Sequence, residues 1–158
     1  MKINQHFHWD KEEIANLLTH GIGTIASTVG LVFLLYFAII KGGIWEQVSF
    51  SIFGVTMLIV LLSSTIYHTI RTPKWKKIFQ TIDQSAIFLL IAGSYAPFCL
   101  VSLRGVWGWS ILSVVWVLAI TGIILKIYFR DRVVKPFMIL YVAMGWLCVI
   151  AIKEMLEK

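Results

Sequence analysis

Three side chains between Ser63 and Asp83 are of types that do chemistry: Ser64, His68 and Asp83. Ser64 and His68 are four residues apart, so on a helix they share a face. They close one long apolar run, Asp83 precedes the next, and a basic segment over 70–81 lies between. If that segment is a short turn at a membrane surface, a hydroxyl, an imidazole and a carboxylate meet at one depth on one side. His68 is then a candidate zinc ligand through one ring nitrogen. Ser64, one turn deeper, is placed to fix the other nitrogen or to hold a metal-bound water. A catalytic zinc takes three protein ligands and an open position. His68 is the one good ligand candidate; His20, in T-H-G-I-G at the mouth of the first apolar run, is second in line.

Each of these residues also has a plainer reading. Asp83 can start the third apolar helix as a hydrated cap. His68 can snorkel to the interface or bond a loop carbonyl, and His20 can be an interfacial histidine beside a helix-packing glycine. His6 and His8 form H-x-H in a polar tail, where solvation is the simpler fate than metal binding. An unpartnered charge inside lipid costs several kcal/mol, which argues for function at Asp83, and on position alone the functional and capping readings weigh about evenly.

The elements that must position these groups are membrane helices. The 158 residues are 59% apolar and 14% charged, with mean hydropathy +0.85. No soluble core of this length hides so much apolar surface. Five uncharged runs, 21–40, 48–67, 84–103, 105–125 and 136–152, are 17 to 21 residues long. A bilayer core about 30 Å thick needs roughly 20 helical residues. Lipid leaves a bare backbone unsatisfied, and uninterrupted apolar runs exclude barrel strands. The expected fold is therefore all-α and integral to the membrane, a single bundle over 1–158 with five transmembrane helices. No cleavable leader is visible before the first run, which is expected to stay in the mature protein.

The basic residues set the orientation. With the N-terminal tail inside, one face collects ten of the 14 Lys and Arg (Lys2, Lys11, Arg71, Lys74, Lys76, Lys77, Lys126, Arg130, Arg132 and Lys135). Positive-inside then places the N-terminus in the cytoplasm. Confinement of the +6 net charge to short segments between apolar runs is a membrane signature, so nucleic acid is not expected as a partner. Trp45, Trp107 and Trp109 are expected in outer loops. Asp10 and Glu13 resemble a capping box opening an interfacial helix over 11–20. Gly23, Ser27 and Gly30 make a small-residue stripe for close packing. A kink is expected near Gly93 in AGSYAP, and Cys99 and Cys148, with no ligand spacing, are expected to be buried free thiols.

EEIANLLTHGIG, SSTIYH, DQSAIFLLIAGSYAPFCLVSLRGVWGWS and ILYVAMGWLCVIAIK together resemble the bacterial hemolysin III family, itself related to the progestin and adipoQ receptors. The resemblance runs along essentially the whole chain. It implies a seven-helix bundle with a cytoplasmic N-terminus, S-x-x-x-H on the second helix and an aspartate at the start of the third. Those positions are Ser64, His68 and Asp83. It implies further zinc ligands from an H-x-x-x-H motif on a seventh helix, which this sequence, ending at Lys158, is expected to lack. The implied zinc site is thus incomplete in this chain. A homo-oligomer or a separate chain supplying helices is an expected partner.

Three functional expectations follow from the resemblance. The family name implies cytolytic or pore-forming activity at the bacterial cell membrane. Relatives that look like zinc-dependent amide hydrolases, alkaline ceramidases among them, imply a lipid amide substrate, with Asp83 handling the proton of a zinc-activated water. A receptor-like membrane protein is the third.

Overall fold

The computed structural model describes residues 10–129 and 135–149. Among these the chain is helical throughout, with no strand: α1 (Lys11–Lys41), α2 (Ile44–Thr69), α3 (Pro73–Pro97), a π-helical segment (Phe98–Ser102), α4 (Val106–Phe129) and α5 (Lys135–Trp146). Among the described residues four helices are long and apolar enough to cross a membrane: α1, α2, α3 continued through the π segment, and α4. The described part of the fifth apolar run is the 12-residue α5, about 18 Å long, followed by a turn at Leu147. Residues 150–152 of that run lie outside the described residues.

Connections are short because the residues between helices suit tight reversals. Gly42 and Gly43 alone separate α1 from α2, and the Gly43 N–H donates to the Glu46 side chain at 2.8 Å. A Cβ at Gly42 would stand 2.9 Å from the Ala38 carbonyl oxygen, so only glycine fits there comfortably. Gly105, at φ +135°, turns the chain into α4 through a conformation that other residues rarely adopt. Trp45 and Trp109 lie in the first turns of their helices rather than in loops. Their rings meet edge to face at 5.8 Å, with the Arg104 guanidinium 4.8 Å over Trp45.

The core lies where α3, α4 and α5 meet, around Phe88, Ala92, Tyr95, Val115, Ala119 and Met144. By contrast α1 buries just Ala38 and packs chiefly on α2, leaving Ile22, Ile25, Val32 and Phe33 turned outward, as suits lipid. Glycines set the close approaches. A Cβ at Gly93 would lie 2.1 Å from Thr56 Oγ1, and one at Gly122 would lie 2.5 Å from the Phe88 ring. In the expected stripe on α1, Gly23 does face Leu61, but Gly30 meets nothing within 4 Å.

The helix is continuous through Gly93 to Pro97 and then passes into the π segment, Pro97 supplying no N–H to the regular ladder. Two local expectations give way. Cys99 is buried as expected, whereas Cys148 is exposed. Lys126, counted with a loop, is a buried residue in the last turn of α4, its ammonium 5.0 Å over the Phe137 ring.

Candidate functional site

The basic segment between Ile70 and Thr81 is not a turn. Only 70–72 are non-helical; Thr72 is the N-cap of α3, Pro73 takes the first helical position where its missing N–H costs nothing, and Lys74, Lys76 and Lys77 ride on the first turns. Asp83 therefore lies ten residues inside α3 and is not its cap. That removes the plainest alternative for this residue.

What Asp83 does is meet α2. The Ser64 hydroxyl, on a residue only 4% exposed, and the imidazoles of His68 and His20 all lie within electrostatic reach of the Asp83 carboxylate. The antiparallel run of α1, α2 and α3 puts the start of α1, the end of α2 and the start of α3 at one end of the bundle. Their four-residue spacing on α2 turns Ser64 and His68 to the same side. His20 stacks on His68, ring centroids 5.9 Å apart and planes 7° from parallel, while Tyr67 meets His68 edge-on at 4.8 Å.

One further residue joins this group against expectation. Glu13 makes no capping box: Asp10 is the N-cap of α1 with no side-chain cap bond. Glu13 reaches across the bundle instead. Its Oε2 is 2.7 Å from His68 Nδ1, and its Oε1 accepts from Lys76 Nζ at 2.6 Å. The signal present in the sequence is spacing, since Glu13 and His20, seven apart, fall on one helical face. From α5, the Tyr141 hydroxyl donates to the Gln84 carbonyl oxygen at 2.7 Å and lies within electrostatic reach of Asp83. Beside it, Gln84 Oε1 and Ser85 Oγ are buried without a hydrogen-bond partner.

The sequence pattern described as Haemolysin-III related matches residues 7–158, the whole of this site included. This chain belongs to that family. It is 46% identical over 157 residues to Hemolysin-3 of Bacillus cereus, covering 99% of this chain and 72% of that protein. It is 50% identical over 145 residues to a Hemolysin-3 homolog of Bacillus subtilis, covering 92% of this chain and 68% of that one. A more distant relative is the human Monocyte to macrophage differentiation factor, 24% identical over 143 residues, 85% of this chain and 58% of that protein. It represents the progestin and adipoQ receptor side of the relationship. No solved structure matches the chain.

In this haemolysin-III family member, zinc can be tested against the donor set. Among the described residues no three His, Cys, Asp or Glu side chains come together in an arrangement that holds a metal ion. His68 commits Nδ1 to Glu13 and has Nε2 left to offer. These residues do not by themselves fit a three-ligand zinc site. What these residues themselves offer is a carboxylate, a hydroxyl and two imidazoles able to accept and donate protons.

Proposed function

We propose that this chain is a multi-pass protein of the bacterial cell membrane, with its N-terminus in the cytoplasm and five membrane-crossing helices. Its working centre is the Ser64–Asp83–His68 group at the cytoplasmic end. In this reading the group carries out acid–base chemistry on a membrane lipid, of the amide-hydrolase class. One observation supports it above the others: a carboxylate ten residues inside α3 lies within electrostatic reach of a buried serine hydroxyl and of two imidazoles. Such groups are costly to place in a membrane span, and function is the usual reason they are there.

Hydrolysis breaks the amide C–N bond. The oxygen of a water bonds to the carbonyl carbon, and one of its protons ends on the leaving nitrogen. Asp83 and the free Nε2 of His68 are the groups able to accept and return that proton. Ser64 offers a buried hydroxyl within reach of that carboxylate. Zinc binding here would draw ligands from beyond the described residues as well as from His68, and zinc content that falls with His68→Ala supports it.

The test is fatty-acid release from a ceramide-type lipid amide by purified protein in lipid nanodiscs. Release that drops at least about 100-fold in Asp83→Asn and in Ser64→Ala, with the fold retained, supports the reading. A folded wild-type protein that releases no fatty acid from any lipid amide overturns it.

A second reading, cytolysis, is favoured by the name Hemolysin-3 carried by the two Bacillus relatives. A pore would require an oligomer, because the outward faces of α1 and α4 are apolar nearly all round and offer no polar stripe for a channel. Stepwise conductance in planar bilayers supports cytolysis; silence at every protein density removes it.

A further inference from the structure

The Glu13 contacts do more than gather polar groups, because they decide where the proton of His68 sits. A carboxylate has no hydrogen to give, so the 2.7 Å contact between Glu13 Oε2 and a neutral His68 places the hydrogen on Nδ1. An imidazole with Nδ1 protonated has a bare lone pair on Nε2. Without a partner in water, histidine favours the opposite tautomer. Lys76 Nζ, 2.6 Å from Glu13 Oε1, keeps the carboxylate ionised and stops it rotating away.

We propose that Glu13 is the positioning residue of this centre. Braced by Lys76, it locks His68 in the Nδ1–H tautomer so that Nε2 is presented as the acceptor, base or ligand atom. The inference rests on the reading of His68 as a working group but concerns a different property, its proton position.

A plain tie between α1 and α3 is the competing account. An exposed Glu–Lys pair contributes little and needs no third member. Here the third member is a ring whose side chain is only 13% exposed. That ring is held on its face by His20, stacked at 5.9 Å, and at its edge by Tyr67, over which the Lys76 ammonium lies at 5.1 Å. Ring plane, ring nitrogen and carboxylate are all constrained at once. That is how a carboxylate partner fixes a functional imidazole, and more than a tie requires.

The experiment is nitrogen NMR of the full chain labelled with ¹⁵N-histidine, in lipid nanodiscs, at a pH high enough to leave the ring neutral. His68→Asn assigns its signals among the four histidines. Wild type is expected to show His68 as one tautomer, proton on Nδ1. Glu13→Ala is expected to move most of the population to Nε2–H. Glu13→Gln, which keeps the shape and can either accept from or donate to Nδ1, is expected to give a mixture; it decides alone if Glu13→Ala does not fold. A wild-type His68 protonated on Nε2, or a wild-type tautomer retained in the folded Glu13 variants, overturns the proposal. Ser64→Ala and Asp83→Asn leave this signature in place whether or not they abolish lipid hydrolysis, so failure of the functional reading is distinguishable from failure of this one.

Discussion

The residues that hold this bundle together and those that give it chemistry are both polar, and their partners separate the two. Tyr95 shows the structural kind. Its hydroxyl donates to the Met144 carbonyl oxygen at 2.6 Å, lies 3.1 Å from that of Gly145, and accepts from the Cys148 N–H at 2.9 Å. One side chain thus satisfies the backbone groups freed where α5 turns at Leu147, in surroundings with no water to do so. Tyr95→Phe is expected to cost about 1–3 kcal/mol, the usual penalty for buried polar groups left unpaired. Amide hydrogen exchange at Cys148 should quicken correspondingly; an unchanged rate would show that the turn needs no such support. Ser64 and Asp83 differ in kind. They lie within reach of each other and of two imidazoles, and no backbone break accounts for their presence.

At the scale of helices, small residues decide how near the backbones come, and the environment of each glycine sets its importance. Gly93 admits the Thr56 side chain of α2 at a distance no real Cβ tolerates, and Thr56 is stiff because it is β-branched and buried. Gly30 faces open space on α1. Gly93→Ala is therefore expected to destabilise by roughly 1–3 kcal/mol through overpacking. Gly30→Ala should leave stability unchanged or raise it by up to about 1 kcal/mol from helix propensity. Unfolding midpoints in detergent distinguish the two, and equal effects would mean that the α2–α3 approach is not limiting. Spacing in the sequence points to glycine packing but selects Gly30 along with Gly23. What lies opposite a glycine depends on the neighbouring helix and its rotation, which no single-helix pattern contains.

For the whole molecule, the site's depth and side depend on which end of the bundle faces the cytoplasm. The start of α1, the end of α2 and the start of α3 come together through Glu13, His68 and Lys76. Lys11, Arg71, Lys74, Lys76 and Lys77, half of the basic residues on the richer face, therefore share an end with the polar cluster. In the orientation we propose, that end faces the cytoplasm. A Lys76→Cys variant in a Cys148→Ser background should resist a membrane-impermeant thiol reagent in intact cells and react after permeabilisation. Labelling in intact cells would invert the orientation and put the cluster outside.

The amino-acid sequence by itself determined the solvent and the class of element, because runs of 17 to 21 uncharged residues in lipid leave helices as the only backbone solution. It also singled out Ser64, His68 and Asp83, since polar groups in apolar surroundings stand out without knowledge of the fold. Tertiary structure decided the rest. It began α3 at Pro73, which turned Asp83 from a helix cap into an interior carboxylate met by Ser64. It also carried Glu13 from its own helix start to His68, 55 residues away. Hydropathy records how much a segment must hide, and local spacing records which residues share a face. The choice of partner for an acid at a helix end is made by whichever helix packs beside it, and that is settled only when the bundle closes.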